Sequence, residues 1–373
     1  MILKNVQAFQ TSGGFIEKDI IINNGVFSDQ IVQEDETSID GNGLYAIPGL
    51  VDIHFHGCMG VDFCNGNLEA IQTIADYQLS QGITSICPAT MTIPSSEIYD
   101  ICRIAGSYES TRGAKLVGIN LEGPFISEGK KGAQKADNIL LPSIDLLLEW
   151  INASKGLCKL IDIAPEVDGG LDFIRHAKDH IRISLAHTSA DYDLACEAFL
   201  LGADHITHLY NAMTPLTHRA PGMVGAGADC EHVFAEIICD GIHIHPAVIR
   251  ATFNMYGSHR MILISDSMEA TGLVDGTYQL GGQAVTVKGK EATLKGGVIA
   301  GSVTNLMDCM RFAVKESKIP LWDAVNCASV NPAKSIGLFD TIGSLDIGKQ
   351  ADVLLLNDKL ELIHVIQDGV LIK

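Results

Sequence analysis

Apolar positions along the chain change rhythm twice. In the first ~45 residues short β-branched runs alternate with turn signals. Asp19-Ile20-Ile21-Ile22 and Val26-Phe27 flank Asn23-Asn24-Gly25, a pattern that predicts a tight hairpin. The last ~30 residues read the same way, with Ala351–Leu356, Leu362–Ile366 and Val370–Ile372 as strands and Asp368-Gly369 as a turn. Between them, short aliphatic runs alternate with helical periodicity. Eight runs predict strands: Leu50–His56, Ile83–Ala89, Leu116–Glu122, Leu160–Pro165, Arg182–His187, Ile206–Asn211, Ala235–Asp240 and Met261–Asp266. Stretches such as Leu68–Gln81 and Asp191–Leu201 predict helices between them.

Eight strands alternating with helices predict an α/β fold, a parallel (β/α)8 barrel of TIM type. The competing open doubly wound sheet lacks its Gly-x-Gly-x-x-Gly turn after the first strand. The barrel is expected over residues 48–339, with a β-meander inserted near 277–300. Residues 1–47 and 340–373 are expected to form one small β-sandwich-like domain from both termini.

Composition narrows the functional classes. A net charge of −19 argues against nucleic acid and anionic membrane surfaces as partners. The ten cysteines have no CxxC pair or regular framework, and they read as reduced thiols of a cytoplasmic protein. No apolar run has transmembrane length, and the first residues do not have the pattern of a signal peptide.

In a barrel, functional residues belong at the C-terminal ends of the strands. His54 and His56 close the first strand with a period-two spacing that places both on one face. Glu122 closes the third, His187 the fifth, His208 lies on the sixth, and Asp266 closes the eighth. Four histidines, a Glu and an Asp suit a borderline divalent ion: Zn²⁺ first, with Fe²⁺, Co²⁺ or Mn²⁺ as alternatives. Such an ion lowers the pKa of bound water to roughly 7, and a neighbouring carboxylate can shuttle its proton. Asp266 suits that task, although an Asp before Met268-Glu269-Ala270 also suits a helix cap. His205 has the opposite parity to His208 and is expected to face the helices, while Cys58 and Cys64 are expected to pack rather than ligate. His218 and His245 are left open.

These motifs together resemble the amidohydrolase superfamily, and locally the N-acetylglucosamine-6-phosphate deacetylase family. The resemblance is carried by Pro48–Gly57, Glu122-Gly123-Pro124-Phe125-Ile126, Thr207–Met213, Arg219–Gly225 and Asp240-Gly241-Ile242-His243. It continues through Ala300-Gly301-Ser302 and Asn331–Lys334 to Gly343–Asp352, and so spans nearly the whole chain.

The resemblance implies that Glu122, His187 and His208 hold a principal metal. His54 and His56 match positions that hold a second ion in some members, so one or two ions per chain are implied. Asp266 matches the residue that activates water and protonates the departing amine. Arg219 and His243 match phosphate contacts, and Asn211 and Ala212 match other substrate contacts. Gln134 stands where several relatives carry His, near the acyl carbonyl or the sugar, where it can donate a hydrogen bond but cannot be cationic. Two subunits can share the pocket in this family, which implies a homodimer. The implied reaction is deacetylation of N-acetylglucosamine 6-phosphate to glucosamine 6-phosphate and acetate by metal-bound hydroxide. The alternative is N-acetylgalactosamine 6-phosphate or another amidohydrolase substrate.

Overall fold

The computed structural model describes residues 1–30 and 37–373, so the part of the N-terminal segment at 31–36 lies outside the described residues. Eight parallel strands form the barrel: β1 (Leu50–Asp52), β2 (Ile83–Ile86), β3 (Ile119–Phe125), β4 (Cys158–Ile163), β5 (Arg182–Leu185), β6 (His205–Ile206), β7 (Phe234–Ile238) and β8 (Met261–Ile264). Strand β1 pairs with β2, a short continuation of β2 (Ala89–Thr90) pairs with β3, and the ladder then runs from β3 to β8 in chain order. The seam between β8 and β1 closes beyond the strand ends. Asp266 N–H donates to His54 O (2.9 Å) and His56 N–H to Ser267 O (2.7 Å). Below them Ser265 Oγ donates to the buried Asp52 carboxylate at 2.5 Å.

Alternation along each strand sorts side chains into two layers. Ile161, Ile163, Ile183, Leu185, Ile206, Ile237 and Leu263 face outward and bury against the helices. Val51, Leu160, Ile238, Ile262 and Ile264 come from strands on different sides of the ring and touch one another, which they can do only across the barrel axis. Ala333, Ile336 and Ile342 join this inner plug. Each buried aliphatic side chain contributes about 1.5–3 kcal/mol by leaving water. Other inward positions are polar: Asn120, Asp162, Ser184, Thr207 and Glu236 are all buried.

The helices begin where the sequence offers caps. Asn67 accepts from Ala70 N–H ahead of Leu68–Ser80, and Asp191 accepts from Leu194 N–H ahead of Tyr192–Leu201. No helix among the described residues is long and apolar enough to cross a membrane.

Strands from both ends of the chain share one eight-stranded sheet. Its central pairing sets Tyr45–Pro48 antiparallel to Val353–Leu356, with Pro48 opposite Val353. The predicted hairpin is present, with Asn24 and Gly25 both left-handed (φ 51° and 79°) as a two-residue turn of this twist requires. The inserted meander runs Gly276–Leu280, Gln283–Lys288 and Glu291–Leu294, all antiparallel.

Strand ends differ from expectation: the first, fifth and eighth strands stop at Asp52, Leu185 and Ile264, short of His56, His187 and Asp266. The sixth strand stops at Ile206 rather than Asn211, because His208, Tyr210 and Ala212 take left-handed backbone (φ 31°, 78° and 50°) and turn the chain. Counting parity from His205 to His208 therefore fails. His205 faces the barrel interior, where it meets Glu236 and Ser335, rather than the helices outside the barrel.

Candidate active site

His54, His187, His208 and Asp266 each sit two positions past the end of a strand. His187, His208 and Asp266 all have positive φ (45°, 31° and 48°), a conformation that non-glycine residues seldom adopt. Each strand delivers its last residue to the rim, and the left-handed step turns the next side chain over the barrel mouth. Glu122 lies within β3 and is followed by Gly123 at φ 88°. A Cβ on that glycine would stand 2.3 Å from Thr92 Oγ1, so only glycine lets the strand bend there.

Three donor atoms converge. Glu122 Oε1 lies 3.0 Å from His187 Nε2 and 3.3 Å from His208 Nε2, and the two imidazole nitrogens are 3.2 Å apart. Ligands of a tetrahedral ion with bonds of about 2.0–2.1 Å stand about 3.4 Å from one another. The donor set and its spacing therefore fit a divalent ion. The far nitrogen of His187, Nδ1, is 2.9 Å from Lys130 O; donating there, it leaves Nε2 free to ligate.

A second group faces the first. His56 Nε2 is 3.2 Å from Asp266 Oδ1 and 3.4 Å from Glu122 Oε2, and His54 Nε2 is 3.8 Å from Asp266 Oδ1. His54, His56 and Asp266 form one potential ion-holding group, and Glu122, His187 and His208 form the other. All six are buried. His54 Nε2 is a buried nitrogen with no hydrogen-bond partner, as expected of an atom meant for a ligand.

Charge is held by mutual compensation. Burial opposes ionisation of Glu122, but hydrogen bonds from His187 and His208 and the nearby His56 and His54 hold its carboxyl well below the usual range. Burial likewise opposes the charge on Asp266, and His56 and His54 keep its pKa low. Burial opposes a proton on His54, yet Glu236, Glu122 and Asp266 together lift its pKa well above the imidazole range.

The pocket above these atoms has a volume of about 380 Å³. Gln134, Asn211, Ala212 and His243 line it, while Leu280, Val298 and Ile299 from the insert and its return form an apolar side. Asn211 Nδ2 is held on His208 O (3.2 Å) and Leu209 O (3.3 Å). His243 Nδ1 lies 2.7 Å from Asp240 Oδ2; burial opposes its charge, but Asp240 raises its pKa above the ordinary value. Gln134 lines the pocket, but its amide is already engaged by the protein. Its Oε1 accepts from Thr92 N–H and its Nε2 donates to Glu122 Oε2, both at 2.7 Å, so both ends are engaged within the protein.

Arg219 is the candidate that the fold does not bring in. It is exposed on the loop before Gly222–Asp229 and is absent from the pocket wall. His218 is exposed on the same loop, and His245 caps the helix Pro246–Tyr256 by accepting from Ala247 N–H. Cys58 is buried, and Cys64 Sγ accepts from Met91 N–H; neither joins an ion-holding group.

Sequence reading missed Glu236, which is buried on β7 and contacts both His54 and His205. Burial raises its pKa, but His54 and His205 pull it down to about 2. A signal existed: an ionisable residue inside the aliphatic strand Phe-Ala-Glu-Ile-Ile is rare without a partner.

Comparison with known proteins agrees with this geometry. The model of the amidohydrolase family matches residues 45–372. An N-acetylglucosamine-6-phosphate deacetylase of Bacillus subtilis (strain 168) is 38% identical over 329 residues, covering 87% of this chain and 83% of that protein. An N-acetylgalactosamine-6-phosphate deacetylase of Escherichia coli O157:H7 is 34% identical over 321 residues, covering 85% of each. Among solved structures, a mutant N-acetyl-D-glucosamine-6-phosphate deacetylase of Mycobacterium smegmatis, in complex with N-acetyl-D-glucosamine 6-phosphate, superposes with a TM-score of 0.92 at 28% identity. That match covers 100% of this chain and 98% of the other. The chain belongs to the amidohydrolase family and, within it, to the N-acetylglucosamine-6-phosphate deacetylases.

Proposed function

We propose that the chain hydrolyses N-acetylglucosamine 6-phosphate to glucosamine 6-phosphate and acetate, using one or two divalent ions, Zn²⁺ first among them. The observation that carries this reading is the convergence of Glu122, His187 and His208 within 3.0–3.3 Å, facing the Asp266 carboxylate across one pocket. A divalent ion bound there supplies Lewis acidity and makes water a stronger acid at neutral pH.

The protein's own groups do the rest. Glu122, His187 and His208 would hold the ion, and His54 and His56 extend the site toward Asp266. Asp266, held ionised by the two imidazoles, accepts a proton from the attacking water and returns it to the amine nitrogen as the C–N bond breaks. Asn211, Ala212 and His243 hold the sugar phosphate, with His243 as the local cation in an acidic chain. Arg219 lies on an exposed loop, which supports a role in the pocket of a second copy and hence a homodimer.

Acetate release by the metal-loaded protein, measured on the 6-phosphates of N-acetylglucosamine and N-acetylgalactosamine, tests the reaction and the epimer. Turnover absent on both with every divalent ion tried refutes the reading. Faster turnover of the galacto epimer transfers it to that sugar.

A further inference from the structure

Glu236 lies at the centre of β7, buried beneath the pocket and outside its lining. Its carboxylate is fully engaged. Oε2 stands 3.0 Å from His54 Nδ1 and accepts from His208 N–H at 3.2 Å, while Oε1 stands 3.1 Å from His205 Nε2. The other nitrogen of His205 is 3.1 Å from Ser335 Oγ. An ionised carboxylate only accepts, so the protons are assigned in sequence. His54 carries a hydrogen on Nδ1, His205 carries one on Nε2, and the Ser335 hydroxyl donates to His205 Nδ1. Every polar atom of Glu236, His205 and Ser335 in this network is thereby engaged, and so is His54 Nδ1.

The assignment fixes what His54 offers above. With Nδ1–H held from below, Nε2 alone faces the site, and it has no hydrogen-bond partner. At 3.7 Å from Glu122 Oε1 and 3.8 Å from Asp266 Oδ1 it is beyond hydrogen-bond reach of either acid.

We propose that Glu236 is the positioning residue of a second ion: by anchoring His54 from beneath and adding a buried negative charge, it makes the His54–His56–Asp266 group bind a divalent ion beside the first. The proposal rests on the metal-dependent reading above, and it concerns His54 more than the first ion, whose ligand His208 meets Glu236 only through its backbone.

The test is calorimetric titration of chelator-stripped protein with Zn²⁺, backed by metal content per chain. Wild type takes up two ions. Glu236→Gln, close in shape but uncharged, keeps the tighter ion and weakens the second by 10- to 100-fold. In a His54→Gln background, Glu236→Gln changes the remaining affinity by less than twofold. If Glu236→Gln does not fold, Glu236→Asp, which keeps the charge but cannot span both imidazoles, selectively weakens the second ion. The proposal is overturned if wild type takes one ion only, if the Glu236 variant that folds binds two ions with unchanged affinities, or if it weakens both ions equally. No ion bound by wild type would instead refute the metal-dependent reading itself.

Discussion

Truncation of Gln134 offers the sharpest test of how the site is held. Gln134→Ala removes the acceptor for Thr92 N–H and the donor to Glu122 Oε2, each a 2.7 Å bond. A buried backbone N–H without a partner costs roughly 1–3 kcal/mol, and a hydrogen bond to a charged group contributes roughly 1.5–3 kcal/mol. Water from the adjoining pocket recovers part of this, so a net loss of about 2–4 kcal/mol is expected. With an unfolding entropy of about 2.1 cal/mol/K per residue, a chain of 373 residues has about 0.8 kcal/mol/K, and the melting temperature falls by about 3–5 °C. Freed of its clamp, Glu122 also holds the ion about 10- to 100-fold less tightly. Scanning calorimetry of metal-stripped protein reads the first effect and Zn²⁺ titration the second. A melting temperature within 1 °C of wild type, together with unchanged affinity, would show that the clamp has no energetic role.

Three further outcomes are expected. Asp266→Asn should lower kcat by at least about 10²-fold while the Glu122–His187–His208 ion stays bound, checked by steady-state kinetics beside metal content. Arg219→Ala should raise KM for the sugar phosphate at least about tenfold with kcat little changed, and mixing it with a catalytically dead Asp266→Asn copy should restore low-KM turnover if the loop serves a neighbour's pocket. For His243, burial disfavours the cation but Asp240 lifts its pKa, so the charge persists to higher pH than on an unpaired imidazole and is lost as pH rises through that raised value. KM should accordingly climb on the alkaline side. In Asp240→Asn the climb should begin at lower pH, and identical pH profiles would remove the pair from phosphate binding.

The barrel was legible because its signal is repeated: six of the eight aliphatic runs end in a polar residue, and β3, β5 and β8 bring Glu122, His187 and Asp266 to the same rim. Strand ends were less legible. The left-handed turns at His187, His208 and Asp266 are imposed by the site and contradict local propensity, so runs that read as strand to the functional residue stop short of it. The inner polar layer was missed for another reason. Glu236, His205 and Ser335 lie far apart in sequence and acquire meaning only when β7, β6 and the segment after Asn331 meet inside the barrel. Gln134 was found as a pocket residue, but its partner Thr92 could not be read from spacing.

The pairing of Tyr45–Pro48 with Val353–Leu356 bears on how the molecule is made on the ribosome. Roughly 300 residues separate Pro48 from Val353, and at about 5–20 residues per second their synthesis takes about 15–60 s. Throughout that interval the buried Ala46 and Ile47 have emerged without the strand that covers one edge of theirs. The nascent chain therefore carries an unpaired sheet edge throughout that interval, the kind of edge that invites wrong pairing before its partner strand is made.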